Sequence, residues 1–282
     1  METRQSIKNR IKSIEGTKQI TKSMRLVSIV KMQRAREDMQ RNLPFLEESR
    51  RLVSYARHCM DGESHPCLDG RPVRHALMIP VAGDRGLCGG YNAGVIRAAL
   101  AHMDALGYPC KVLAIGAKAG DALKRRRQYE PIRVFKGMTD SPFFADAVEI
   151  AAMIRDLYDA GEVDRVFLCH ARFTSMLVQE PVVRTLLPVE EAATGTLPAN
   201  YEPGGAAMVG RAVSFYLASV LYGALLEAAV SEQSARILSM DGAVRTAGEM
   251  IRDLTLRYNQ ARQAIITREI TEIVAGADAS GT

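Results

Sequence analysis

Residues 237–265 read ILSMDGAVRTAGEMIRDLTLRYNQARQAI, and the spacing of their apolar members decides the fold. Ile237, Met240, Val244, Ala247, Ile251, Leu254, Tyr258, Ala261 and Ile265 follow one another in alternating steps of three and four. That is a heptad period of about 3.5 residues, the pattern of a helix wound left-handedly against a partner helix. The seam lies in a proline-free stretch from about Met208 to Val274, the last proline of the chain being Pro203. At about 1.5 Å per residue this stretch makes a helix on the order of 100 Å long, several times the width of an ordinary domain. Such a helix is expected to project, and to keep its seam dry only against a second long helix.

Residues 1–57 supply that second helix. Ile7, Ile11 and Ile14, then Ile20, Met24 and Val27, then Met32, Ala35, Met39, Leu43 and Leu46 recur at helical spacing. Gly16 and Pro44 interrupt the pattern, which predicts a weak point near the first and a kink near the second. Residues 58–72, HCMDGESHPCLDGRP, end the periodicity with turn-forming glycines and prolines.

Between about 73 and 200 short apolar runs alternate with helical stretches. His75–Val81, Lys111–Ile115, Ile132–Phe135 and Val163–Cys169 read as buried strands, and 91–106, 117–127 and 143–160 as the helices between them. This order predicts a mainly parallel sheet with helices packed on it. The run FTSMLVQEPVVRTLLPV at 173–189 reads as further pairing at a sheet edge, where Pro181 and Pro188 are tolerated. The segment EEAATGTLPANYEPGG at 190–205 reads as a loop leading to the long helix. The predicted architecture is therefore α/β, with a compact domain at 73–200 inserted between helices at 1–57 and 206–276 that form one antiparallel coiled coil.

Composition narrows the function. With 282 residues, 47% of them apolar and 24% charged, the chain can bury a core and fill one or two domains. Its net charge of +5 is unevenly placed, for the first 36 residues hold ten Lys/Arg against two acids, which points to an acidic or polyanionic partner. Five cysteines without a CxxC suit a reducing compartment. No apolar run reads as long enough to span a bilayer, and the basic N-terminal pattern outlasts a transit peptide, so a soluble or peripheral protein is expected.

The motifs argue against chemistry on this chain. Gly83-Asp84-Arg85-Gly86-Leu87-Cys88-Gly89-Gly90 lies between a strand and a helix, where phosphate loops lie. It lacks the P-loop ending and the GxGxxG spacing, and a tight turn with close backbone packing accounts for it better. His58, Cys59, His65 and Cys67 are irregularly spaced for zinc. His75, His102 and His170 have no nucleophile signature nearby. No metal, cofactor or catalytic set is expected. The basic N-terminal helix suits acid-rich protein loops better than nucleic acid, because residues 1–44 contain no aromatic to stack on bases. A nucleic-acid-binding coiled coil and a nucleotide-binding α/β enzyme remain as alternatives from other classes.

Four stretches together resemble the gamma subunit of F-type ATP synthases, the central rotary stalk: IKSIEGTKQITKSMRLVSIVKMQRA at 11–35, DRGLCGGYN at 84–92, the run at 173–189, and SEQSARILSM with LTLRYNQARQAIITREITEIVAGA within 231–277. The resemblance implies a Rossmann-like α/β domain without bound nucleotide between the two coiled-coil helices. It implies a non-catalytic subunit coupling ion flow to ATP chemistry at the alpha and beta subunits, with the epsilon subunit and the membrane ring of c subunits as further partners. Nucleic acid and small-molecule substrate are not among them. Peripheral attachment to the cytoplasmic face of the bacterial plasma membrane follows. By matching positions, Arg262 and Gln263 contact a beta-subunit loop, and Thr267 and Glu269 follow in the same region. Lys18, Lys22, Met24, Arg25 and Arg236 form the coupling surface toward acidic beta loops, and Tyr201 and Glu202 form the foot on the rotor ring.

Overall fold

The computed structural model describes residues 3–58, 60, 64–190 and 206–280. Helix α1 runs unbroken over Arg4–His58, through both Gly16 and Pro44, and α2 is the single turn Pro66–Asp69. Then follow β1 (Ala76–Pro80), α3 (Tyr91–Ala105), β2 (Cys110–Ile115), α4 (Ala117–Lys124), β3 (Arg133–Phe135), α5 (Phe144–Asp159), β4 (Arg165–Phe173), β5 (Gln179–Leu187) and α6 (Ala206–Ser280). The protein is thus mixed α/β, with a five-stranded sheet and a long helix at each end of the chain.

The sheet order is β3-β2-β1-β4-β5, with parallel pairing everywhere except the antiparallel β4–β5 edge. Parallel neighbours need crossovers, which is why α3, α4 and α5 separate the strands in sequence. All five residues of β1 are buried, because both faces of the sheet are covered. Leu77 and Ile79 join Ile150, Ile154, Leu217 and Leu221 on the face of α5 and α6. Ala76 and Met78 join Val95, Ala99 and Leu123 on the face of α3 and α4. Pro181 sits within β5, at the edge where its missing donor is harmless.

The chain leading into β1 is fastened by Asp164. Its carboxylate accepts the Arg74 and His75 amides at 2.9 and 3.0 Å and Arg71 Nε at 2.6 Å. Burial alone would raise its pKa, but the two amides and the guanidinium together hold it below the usual 3.8. A depressed carboxylate stabilises the fold above its unfolded value, and that contribution fades as pH falls through the folded one. Asp164→Asn is expected to cost about 1.5–3 kcal/mol at neutral pH. Urea unfolding should show the gap to the parent closing below the ordinary carboxylate range.

The described chain divides into two compact units, one formed by residues up to Val27 with those from Ile237 onward, the other by Ser28–Arg236. In the first unit Arg25 pairs with Asp241 at 2.6 Å, and Lys18 Nζ lies 3.4 Å from where a Cβ on Gly248 would stand. Seven residues down one segment correspond to seven up the other. Along α6, Ile237, Met240 and Leu254 are buried and Val244, Ala247, Ile251, Tyr258 and Ala261 half-buried. Ile265 is exposed, as is every residue from Arg262 to Ala275. By that register Arg4, the first residue of α1, stands opposite Arg262, so the boundary falls where α1 begins.

The inward side of α1 departs from the sequence expectation. Ile7 is buried and Ile11, Ile14, Lys18, Thr21, Met24 and Arg25 half-buried, whereas Ile20 and Val27 are 64% and 56% exposed. Within the second unit Ser28, Met32, Asn42 and Ser49 are buried and Leu43 is exposed. Steps of three and four from Ile14 land on Lys18, Thr21, Arg25 and Ser28, so geometry outranks hydrophobicity in setting the face. The polar members are accommodated locally: Thr21 donates to the Thr17 carbonyl at 2.8 Å and Ser49 to that of Leu46 at 2.7 Å. A second correction concerns length, for α6 does hold an 18-residue window apolar enough to cross a membrane, but 72% of that window is buried inside the protein.

Candidate functional site

The glycine-rich loop after β1 is held by side chains, not arranged around a ligand. Asp84 accepts from the Ala117 and Gly137 amides and the Thr139 hydroxyl, each at 2.9 Å, joining the loop to the start of α4 and to the turn after β3. Asn92 accepts the Gly83 amide at 2.7 Å and donates to the Arg85 carbonyl at 3.1 Å. These five hydrogen bonds of two side chains fix the turn, while Arg85 and Leu87 stay on its exposed side.

In an open parallel sheet, ligands settle beyond the carboxyl ends of the strands, where the strand order changes direction. Here that place lies between β1 and β4, and α6 fills it. Phe173 N donates to Glu227 at 3.0 Å, Ser231 donates to the Ala171 carbonyl at 3.2 Å, and Tyr91 donates to the Ala228 carbonyl at 3.1 Å. The Glu232 carboxylate lies so close to Gly83 that a Cβ there would meet it at 2.6–2.8 Å. Arg236 donates to Glu232 at 2.5 Å and to the Gly86 carbonyl at 3.2 Å. Burial raises the Glu232 pKa, and the adjacent Arg236 opposes that rise. A protein carboxylate thus stands where a phosphate would approach the glycine loop.

The histidines and cysteines have structural positions. His65 Nδ1 accepts the Cys67 amide at the start of α2, and burial pushes the Cys67 thiol up to about 11 and the Cys110 and Cys169 thiols to about 12. Cys59 lies outside the described residues, and among those described no three His, Cys, Asp or Glu side chains gather as metal ligands.

Of the residues singled out from the sequence, Lys18, Met24 and Arg25 are half-buried and Lys22 exposed, all on the part of α1 that belongs to the first unit. Arg262, Gln263, Thr267 and Glu269 are exposed on the terminal turns of α6 in that unit. Arg236 belongs to the second unit and is only 6% exposed, its guanidinium turned to Glu232 and Gly86. Tyr201 and Glu202 lie outside the described residues. Two features escaped the sequence reading. One is the pairing of Glu232 with the Gly83 loop, for which no periodic signal exists. The other is the exposed stripe Ile266, Ile270 and Ile273, at 44%, 56% and 71%, visible only once the start of α1 is set against the length of α6.

The fold is that of a mixed α/β protein with a long helix at each end of the chain and a mainly parallel sheet whose ligand crevice α6 fills. Comparison with known proteins identifies its family. The family model described as ATP synthase matches residues 3–279. The ATP synthase gamma chain of Pelotomaculum thermopropionicum is 38% identical over 99% of both chains. That of Moorella thermoacetica is 38% identical over 97% of both. The rotor of the Euglena gracilis mitochondrial ATP synthase shares the fold at a TM-score of 0.69 and 17% identity, over 93% of this chain and 98% of that one. The central stalk of the Tetrahymena thermophila enzyme does so at 0.63 and 21%, over 79% and 99%. The chain belongs to the ATP synthase gamma chain family.

Proposed function

We propose that this subunit is a non-catalytic mechanical coupler: its two terminal helices form an antiparallel coiled coil that turns inside the ring of alpha and beta subunits, transmitting ion flow to ATP synthesis or hydrolysis there. The observation that carries the reading is the end of α6. From Arg262 to Ala275 the helix is exposed on all sides, yet it presents Ile266, Ile270 and Ile273 in one stripe. An apolar stripe of that kind marks a surface that another protein encloses, and a single helix can be enclosed by a ring without being held from one side.

The contacts of such an axle must be made and remade. Lys18, Lys22, Met24 and Arg25 serve as its coupling surface toward acidic beta loops, and exposed ion pairs of about 0–1 kcal/mol each suit serial gripping. Arg262, Gln263, Thr267 and Glu269 serve near the tip. Arg236 serves by fixing the Gly83 loop to α6. Tyr201 and Glu202 form the foot on the ring of c subunits, and the epsilon subunit completes the rotor. Segments 1–57, 73–200 and 206–276 are its working parts, the middle one a Rossmann-like domain whose nucleotide crevice is closed by Glu227, Glu232 and Arg236. That closure favours the coupler over a nucleotide-binding enzyme. The complex sits on the cytoplasmic face of the bacterial plasma membrane.

A tagged chain purified gently should bring alpha and beta subunits with it, and the chain alone should show no calorimetric ATP site. Leu254→Asp places a charge in the buried seam, at a cost of several kcal/mol by order of magnitude. In inverted membrane vesicles it should abolish ATP-driven ion pumping while leaving substantial ATP hydrolysis. Pumping that survives undiminished would remove the coiled coil from the mechanism.

A further inference from the structure

A trough of about 570 Å³ lies between α3 and α4 on the outer side of the sheet. Its cations are Arg97 on α3 and Lys118, Arg125 and Arg126 on and just after α4. Its one carboxylate is Asp104, which accepts the Tyr129 hydroxyl at 2.7 Å. All four cations are exposed, and among the described residues none has an ion-pair partner. Elsewhere around the sheet Lys111, Arg133, Arg155 and Arg172 each have a carboxylate within reach. Between the charges run the half-buried Ile96 and Leu100.

We infer that this trough is a docking site for an amphipathic, acid-rich segment of another polypeptide in the complex, separate from the contacts made by the terminal helices. Spacing selects that occupant. Lys118 and Arg125 are seven residues apart, about 10 Å along a helix axis, with Arg97 facing them from α3. One phosphate or headgroup reaches only one or two of these cations. A polypeptide carrying acids two turns apart reaches all of them, and its intervening apolar side chains lie over Ile96 and Leu100. A flat membrane surface would not fill a trough. The cations steer the approach and set the register, while the apolar floor supplies the contact.

The inference rests on the chain being assembled in its ATP synthase, and the experiment separates the two. A photo-activated benzoylphenylalanine is placed at Ala101, an exposed wall of the trough, and the whole complex is purified through a tag on another subunit. Recovery of this chain reports assembly; a chain that fails to copurify overturns the functional reading itself. With assembly intact, irradiation should yield an adduct mapping to an acid-rich segment of one other polypeptide. Arg97→Glu with Arg126→Glu should lower its yield at least about tenfold, with ATP hydrolysis retained. Adducts to lipid alone, adducts to a segment without acids, a yield indifferent to charge reversal, or no adduct would each overturn the proposal.

Discussion

Arg236→Ala lowers the unfolding free energy by about 3–5 kcal/mol at pH 7, the cost of leaving a buried charge without its partner. Glu232 and Arg236 side chains are 4% and 8% exposed, one helical turn apart on α6, and bound to each other at 2.5 Å. The arginine also holds the Gly86 carbonyl, so the change frees the glycine loop from the helix that covers it. The sign of the pH dependence follows from Glu232. Burial already raises its pKa, and removing the guanidinium takes away the chief opposing influence. A carboxyl whose folded pKa lies above its unfolded value favours the fold below the unfolded value and loses that advantage as pH rises through the folded one. In the variant this penalty is largest at neutral pH and shrinks on acidification, when Glu232 takes up its proton. Urea unfolding of parent and variant at pH 7 and pH 5 should show the deficit narrowing at the lower pH. Adding Glu232→Gln, which keeps the shape beside Gly83, should return much of the loss. A pH-independent deficit, untouched by the second change, would mean that the charge of Glu232 is not what Arg236 offsets.

How far the chain could be read without coordinates depended on whether a feature is periodic. Every strand was located to within a few residues of its observed place, including the edge strand over Gln179–Leu187, because apolar runs broken by turn residues repeat what the sheet demands. Along α6 the buried and half-buried positions follow the expected spacing as far as Ala261, and Ile265 is exposed with every residue from Arg262 to Ala275. On α1 hydrophobicity misled. Ile20 and Val27 looked inward by type, whereas Lys18, Thr21 and Ser28 face inward by geometry, with aliphatic stems and local hydroxyl bonds reducing the cost. The DRGLCGG stretch was correctly read as a packed turn, but not what it packs against. Asp84 with Ala117, Gly137 and Thr139, and Gly83 with Glu232, are contacts between residues 33 to 149 positions apart that no local pattern records. What lies along a helix face was legible, and the crevice that the chain fills itself was not.

Gly116→Ala is expected to be the most damaging single change in the sheet domain, at about 4 kcal/mol or more. Gly116 joins β2 to α4 with φ +92 and ψ 139, a conformation that a side chain disfavours, and its amide donates to the Phe135 carbonyl at 2.8 Å. Space is the larger difficulty. A Cβ there would stand 1.9 Å from the Ala82 carbonyl oxygen and 2.7 Å from its carbon, and both atoms belong to backbone that cannot swing aside. Ala82 cannot yield easily, because its amide donates to the Ile115 carbonyl at 3.0 Å and Val81 bridges Ile115 beside it. Relief would require β1 and β2 to part at the end that carries Gly83 and Asp84. Gly137 provides the control, with φ +81 and nothing within 4 Å of its would-be Cβ. Gly137→Ala should therefore cost only the backbone component, about 1–2 kcal/mol. Urea or thermal unfolding of the two variants side by side isolates the steric part, with low soluble yield of Gly116→Ala as a secondary sign. Equal losses in the two would show that the strands have room to separate there and that the close approach of Ala82 is not what requires the glycine.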